Sequence, residues 1–148
     1  IGTAVEALAP CAGRLVVTPH PGEMARLAGI SVAQVLQMPA DVALGFARKT
    51  GAVTVLKGHR TLVATPDGRL YRNTTGNAGL ARGGSGDILA GMVAGLAAQG
   101  LSPEAAAVCG VWLHGAAADV CAARHSMQGM LPEDILQGLC AVFLENGR

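Results

Sequence analysis

Gly76-Asn77-Ala78-Gly79-Leu80-Ala81-Arg82-Gly83-Gly84-Ser85-Gly86-Asp87 packs five glycines and a terminal carboxylate into twelve residues. It lies directly before a run, Ile88 to Ala98, whose larger apolar residues Ile88, Leu89, Met92, Val93 and Leu96 recur at helical spacing. Glycines let a backbone turn through positive φ and approach a ligand closely, and the N–H groups of a first helical turn favour an anion such as phosphate. The stretch reads as a glycine loop feeding a helix start. Asp87 is the misfit in such a site. A carboxylate at a helix N-terminus ordinarily caps the helix or pairs with its dipole. Beside a bound phosphoryl group its charge would repel unless it accepts a proton, which makes Asp87 the first candidate for a catalytic base, with the capping role as its alternative.

After this helix Gly100 breaks the chain, and Ser102-Pro103-Glu104 supplies an N-cap, an N1 proline and a first-turn acid. An alanine-rich helix follows to about Arg124, and a last one runs from about Pro132 to Leu144 with Gly147 beyond its end. Gly91 and Gly95, four apart, suggest close packing of backbone on backbone, and Trp112 and His114 read as structural. On the amino-terminal side, Leu15 to Thr18 is a short buried strand stopped by Pro19 and Pro21. Short helices are expected over Glu23 to Ala28, from the N-cap Ser31 to Gln37, and over Asp41 to Lys49, the last ended by Gly51. Ala52 to Leu56 is a second buried strand leading into Lys57-Gly58. Thr61 to Thr65 and Arg69 to Arg72 flank Pro66-Asp67-Gly68 as a β-hairpin. The pattern is α/β. Parallel strands need cover on both faces and neighbours at their edges, so the chain is expected to be part of a larger sheet.

The 148 residues are 51% hydrophobic and 14% charged, which excludes disorder and calls for an extensive core. A net charge of +1 carries no electrostatic footprint for nucleic acid or an anionic membrane. The uncharged stretch Ile88 to Pro103 falls short of the roughly 18 apolar residues of a membrane helix, so no membrane association is expected. Cys11, Cys109, Cys121 and Cys140 are far apart, without Cys-x-x-Cys spacing or paired histidines. They signal neither a metal site nor a disulfide framework, and are expected to be buried thiols of a cytoplasmic protein. The start at Ile1, without a methionine, suggests a processed, tagged or truncated polypeptide.

Pro19-His20-Pro21-Gly22-Glu23, Leu56-Lys57-Gly58-His59-Arg60-Thr61, the Gly76 to Asp87 loop, and Leu113-His114-Gly115 followed by Ala117 and Asp119 occur in this order along the chain. Together, from about Pro10 to Leu144, they resemble the ADP- or ATP-dependent NAD(P)H-hydrate dehydratases of the ribokinase-like superfamily. The resemblance implies a three-layer αβα sandwich, here its carboxyl-terminal part, and a lyase that repairs hydrated NADH or NADPH with an adenine nucleotide, ADP or ATP. The implied chemistry is phosphoryl transfer to the ring hydroxyl followed by loss of phosphate, a far better leaving group. It also implies roles: His20 contacts the hydrated dinucleotide; Lys57, Gly58, His59, Arg60 and Thr61 hold the nucleotide, with Gly86 against its phosphates. Asp87 would meet the substrate hydroxyl and take its proton while the amides of Gly83, Gly84, Ser85 and Gly86 stabilise developing negative charge. Mg²⁺ is expected from phosphoryl-transfer chemistry in general.

The loop departs from the family in having Ala78 for proline, Arg82 where threonine is common, and Ser85 for threonine. Arg82 has two readings, a bidentate phosphate contact or a side chain that faces solvent or crowds the site. The residues before Pro10 lack the family's Asp-Ala-Asp run, and ribokinase-like domains are longer than this chain. An amino-terminal half is therefore expected to be absent, the fragment alone to be weak or inactive, and its apolar edge to be covered by that half or by another copy in a homo-oligomer. Two rivals remain: a ribokinase-like kinase of a vitamin precursor, which would use the same Asp87, and a non-catalytic assembly or binding module.

Overall fold

The computed structural model describes Glu6 and residues 8–146, so the expected Gly147 stop lies outside the described residues. The chain divides into two compact units, one formed by residues up to Asn73 together with Leu101–Ala107, the other by Thr74–Gly100 with Val108 onward.

The first unit is built on a four-stranded sheet in chain order: β1 (Val16–Val17), β2 (Val53–Leu56), β3 (Leu62–Ala64) and β4 (Leu70–Arg72). β1 and β2 are parallel, and the rest is an antiparallel meander with Val55 opposite Val63 and Val63 opposite Tyr71. β2 and β3 are buried throughout, as uninterrupted apolar runs require, whereas β4 is largely exposed. Three helices connect β1 to β2: α1 (Pro21–Ala28), α2 (Val32–Gln37) and α3 (Pro39–Thr50). Each has a legible boundary. Ser31 caps α2 in a reciprocal box with Gln34, and Gly29 and Gly51 close α1 and α3 in the left-handed conformation that glycine adopts without strain. Met24 and Ala25 of α1, Val35 of α2, and Ala43, Phe46 and Ala47 of α3 pack in one cluster with Leu56, Leu62 and Ala64 of the sheet. Burying side chains such as Phe46 and Met24 is worth about 1.5–3 kcal/mol each. At the expected hairpin, Gly68 has φ 96° and donates to the Thr65 carbonyl. Arg69 bridges Asp67 and Glu104, and Tyr71 donates to Glu104, tying β4 to residues 101–107.

The second unit is helical: α4 (Ser85–Ala98), α5 (Pro103–Gly129), whose first residues belong to the first unit, and α6 (Asp134–Asn146). Its core joins Ala117, Ala118 and Cys121 of α5 to Ile135 and Val142 of α6 around Met130. Small residues set the spacing. A Cβ on Gly138 would stand 2.3 Å from the Ala117 carbonyl oxygen, and one on Gly110 would stand 2.8 Å from Val93. Gly91 and Gly95 do not have the close-packing role expected of them, since both are exposed and a Cβ there meets nothing within 4 Å. The long helix bends at Ser126 (φ 64°, ψ 160°), close to its expected end at Arg124, and adds a last turn capped by Ser126 itself.

α5 is long and apolar enough to cross a membrane by length and composition, although half of its most apolar window is buried within the fold. The thiols correct another expectation: only Cys121 is buried, donating to the Asp134 carbonyl, while Cys11, Cys109 and Cys140 are exposed. Trp112, read as structural, is 41% exposed.

Candidate active site

Parallel pairing puts the carboxyl ends of β1 and β2 on one side of the first unit, where open α/β sheets bind ligands. His20 follows β1 after two residues and Lys57 directly follows β2, whose chain is held there by the Lys57 N–H bond to the Pro19 carbonyl (2.9 Å). His20 is the N-cap of α1. Its Nδ1 accepts from the amides of Gly22 (3.0 Å) and Glu23 (3.2 Å), and the Glu23 carboxylate accepts from the His20 N–H (2.7 Å). This is a capping box with imidazole in the place of a hydroxyl. The ring fits only because residue 22 is glycine: a Cβ there would lie 2.9 Å from His20 Cε1. With both amides on Nδ1, the neutral ring carries its proton on Nε2, which lies 3.4 Å from Glu23 Oε1.

Glu23 Oε2 is also 3.7 Å from Lys57 Nζ. Burial acts to raise the Glu23 pKa, but the hydrogen bond from the His20 amide and the neighbouring Lys57 charge outweigh it and hold the carboxyl below its usual range. Gly58, His59 and Arg60 are exposed on the loop joining β2 to β3, and Thr61 closes that loop with a long hydroxyl contact to the Gly58 carbonyl (3.5 Å).

In the second unit the glycine loop is clasped by α5. Asp119 Oδ2 accepts from the Gly76 N–H (2.8 Å) and its Oδ1 from Asn77 Nδ2 (2.9 Å), while Thr75 donates to the Trp112 carbonyl (2.9 Å). A Cβ on Gly115 would collide with Thr75, so the glycine of Leu113-His114-Gly115 is what allows this approach. Arg82 is exposed, as its solvent-facing reading has it, and its guanidinium donates to the Gln128 carbonyl at the end of α5. Gly84, at φ 93°, starts α4, and no side chain caps that helix. Ser85 is buried with its hydroxyl 3.3 Å from His114 Nε2, and its amide donates to the Arg82 carbonyl (3.3 Å). The Ser85 amide of the expected anion hole is thus already engaged in a turn, at a long distance. Asp87 is exposed in the first turn, and its carboxylate has no hydrogen bond or ion pair among the described residues.

The structure thus groups His20 with Lys57 in the first unit and Gly86 with Asp87 in the second. Sequence reasoning assigned no role to Glu23 or Asp119, although each carried a signal: an acid three residues after a His-Pro step, and a lone acid inside an alanine-rich apolar helix. Among the described residues no group of three or more His, Cys, Asp and Glu side chains converges as a metal site.

The family model described as NAD(P)H-hydrate dehydratase matches residues 4–140. The chain is 50% identical over 127 residues to the bifunctional NAD(P)H-hydrate repair enzyme of Moorella thermoacetica, covering 86% of this chain and 24% of that protein. It is 54% identical over 106 residues to the ADP-dependent (S)-NAD(P)H-hydrate dehydratase of Neisseria meningitidis, covering 72% and 36%. The ADP/ATP-dependent NAD(P)H-hydrate dehydratase of Bacillus subtilis, co-crystallised with ATP/Mg²⁺ and soaked with CoA, superposes with a TM-score of 0.84 at 36% identity over 90% of this chain and 53% of its own. A ribokinase-like superfamily protein of Enterococcus faecalis gives 0.75 at 32% identity, so the expected ribokinase-like α/β fold is the fold found. The chain spans about a quarter to a third of the length of those two curated relatives.

Proposed function

The chain belongs to the NAD(P)H-hydrate dehydratase family, and from that premise we propose that the protein dehydrates hydrated NADH or NADPH at the expense of ADP or ATP. The observation that carries this reading is Asp87, an exposed carboxylate in the first turn of a helix that it does not cap. A negative charge left unpaired beside glycine amides is suited to accepting a proton from a hydroxyl that attacks a phosphoryl group. In the proposed reaction the ring hydroxyl oxygen bonds to the terminal phosphorus of the nucleotide, the nucleotide leaves one phosphate shorter, and Asp87 holds the hydroxyl proton. The C–O bond of the resulting phosphate ester then breaks, phosphate departs, and loss of a ring proton restores the double bond.

Around that step His20 contacts the hydrated dinucleotide through its Nε2 edge, since Nδ1 is committed to the helix cap. Lys57 and the Gly58 to Thr61 loop hold the adenine nucleotide, and the Gly83, Gly84 and Gly86 amides face developing phosphoryl charge. Each group by itself suits part of a nucleotide: in the first unit a half-buried ammonium at a strand end, and in the second glycine amides at an uncapped helix start. Mg²⁺ bound with the nucleotide would neutralise phosphoryl charge.

The test mixes the complete protein with hydrated NADH and either ADP or ATP, and follows the return of reduced-nicotinamide absorbance. Nucleotide-dependent return is expected, with Asp87→Asn losing about 10²- to 10⁴-fold in turnover while nucleotide still binds. Full turnover by D87N would remove Asp87 from the mechanism. Nucleotide consumption on a hydroxylated vitamin precursor, with none on the hydrate, would establish the kinase instead.

A further inference from the structure

Among the described side chains, Glu23 touches both His20 and Lys57, the residue proposed for the dinucleotide and the one proposed for the nucleotide. One carboxylate takes three partners: the His20 amide at 2.7 Å, His20 Nε2 at 3.4 Å and Lys57 Nζ at 3.7 Å. The cap alone uses the first. A glutamine would serve it equally well, because capping boxes close with either residue at N3. The other two contacts favour a carboxylate: the Lys57 ammonium calls for a negative charge, and a glutamine with its oxygen in the cap would turn its NH2 toward the His20 Nε2–H, donor against donor. They fall on the free edge of an imidazole whose other nitrogen is already fixed by two amides, and on an ammonium at the end of the neighbouring strand. Gly22, having no side chain, leaves room for the ring, so the imidazole rests against the first turn of α1 with its Nε2 edge toward Glu23.

We propose that Glu23 is a positioning residue, which fixes the orientation of the His20 ring and of the Lys57 ammonium while it closes the α1 cap. The proposal rests on the functional reading above for what those two groups bind. It makes the His-Pro-Gly-Glu segment a single device: histidine supplies the acceptor for the helix amides, proline sets the first helical φ, glycine makes space for the ring, and glutamate orients what is left.

The test is Glu23→Gln in the complete protein. The melting temperature should stay close to wild type, because the cap survives. KM for hydrated NADH and KM for the nucleotide should each rise by about tenfold, the difference between a charge-assisted contact and a neutral one, with kcat little changed. In a His20→Asn background, where asparagine keeps the N-cap, E23Q should no longer raise KM for hydrated NADH but should still raise that for the nucleotide. Imidazole ¹⁵N spectra supply a readout independent of turnover: E23Q should shift the Nε2 resonance of His20 and leave Nδ1 in place. A fall in melting temperature with both KM values and the Nε2 resonance unchanged would reduce Glu23 to a cap and overturn the proposal. So would a wild-type spectrum with the neutral-ring proton on Nδ1. Wild-type protein that is inactive on hydrated NADH yet shows the Nε2 shift in E23Q would sink the functional reading and leave the positioning of His20 standing.

Discussion

Two glycine-to-alanine substitutions at helical positions should have opposite signs, and the difference follows from what each new methyl group meets. At Gly115 a Cβ would stand 2.3 Å from Thr75 Oγ1, 2.7 Å from its carbonyl carbon and 2.8 Å from its carbonyl oxygen. Rotation of the hydroxyl relieves only the first contact. To restore a separation of about 3.5 Å, the Thr75 backbone must withdraw by about 0.7 Å. Gly76 is the next residue, and its N–H to Asp119 Oδ2 bond of 2.8 Å would stretch out of hydrogen-bonding range by the same movement. Overpacking costs about 1–3 kcal/mol and a lost bond to a charged acceptor about 1.5–3 kcal/mol. Against this stands about 1 kcal/mol gained by replacing glycine in a helix. A net loss of about 2–5 kcal/mol is expected, or a fall of the order of 10 °C in the thermal midpoint followed by circular dichroism. At Gly45 of α3 nothing lies within 4 Å of the added methyl. Gly45→Ala should therefore leave the midpoint unchanged or raise it, by up to about 1 kcal/mol of stability. Equal shifts in the two variants, or a Gly115→Ala midpoint within 2 °C of wild type on an order-of-magnitude reckoning, would refute the reasoning that the glycine loop is clasped against α5.

Arg82→Thr, which restores the residue common in the resembled family, should lower stability by about 0.5–1.5 kcal/mol through loss of the Gln128 contact and leave nucleotide affinity unchanged in calorimetric titration; a tenfold loss of affinity would assign the guanidinium to phosphate instead. The Asp67 carboxyl is held down to about 2, first by the Arg69 side chain and then by the Thr65 hydroxyl. Its folded pKa lies below the unfolded value of about 3.9, so its stabilising effect is present above about pH 4 and disappears as pH falls toward about 2. A carboxyl ¹³C titration with its midpoint near 4 would contradict the hairpin contacts, and Arg69→Gln should move the midpoint up.

What the sequence made legible is what local rules govern. The strand runs, the Pro66-Asp67-Gly68 hairpin, the Ser31 cap and the Gly51 stop each follow from residues within a few positions of one another. The sequence points to a start of α1 at Glu23 rather than Pro21 because histidine is not among the usual N-cap residues, and the imidazole's use as an acceptor depends on the space that Gly22 leaves for it. The clasp on the glycine loop was hidden for a different reason. Asp119 lies 42 and 43 residues from its partners, and Arg82 lies 46 from Gln128, separations that no periodicity encodes. Gly91 and Gly95 show the converse failure, since four-residue spacing of small residues is compatible with close packing but does not create a neighbour.

Glu23 and Asp87 show why the role of an acid at a helix start is not fixed by its position alone. Both are the third residue of their helices, and both follow the N-cap by three. In α1 the N-cap residue His20 is extended, at φ −81° and ψ 169°, and supplies an acceptor, so the box closes and Glu23 is bonded to the backbone it caps. In α4 the N-cap is Gly84 at φ 93° and ψ −29°, outside the extended conformation in which capping boxes form, and it has no side chain to reciprocate. Asp87 therefore keeps its charge exposed to whatever ligand approaches. A glycine in the left-handed region at that point is thus more than a way to turn the chain: it withholds from Asp87 the structural use that the same position gives to Glu23, and leaves the carboxylate exposed, as the proton transfer proposed for it requires.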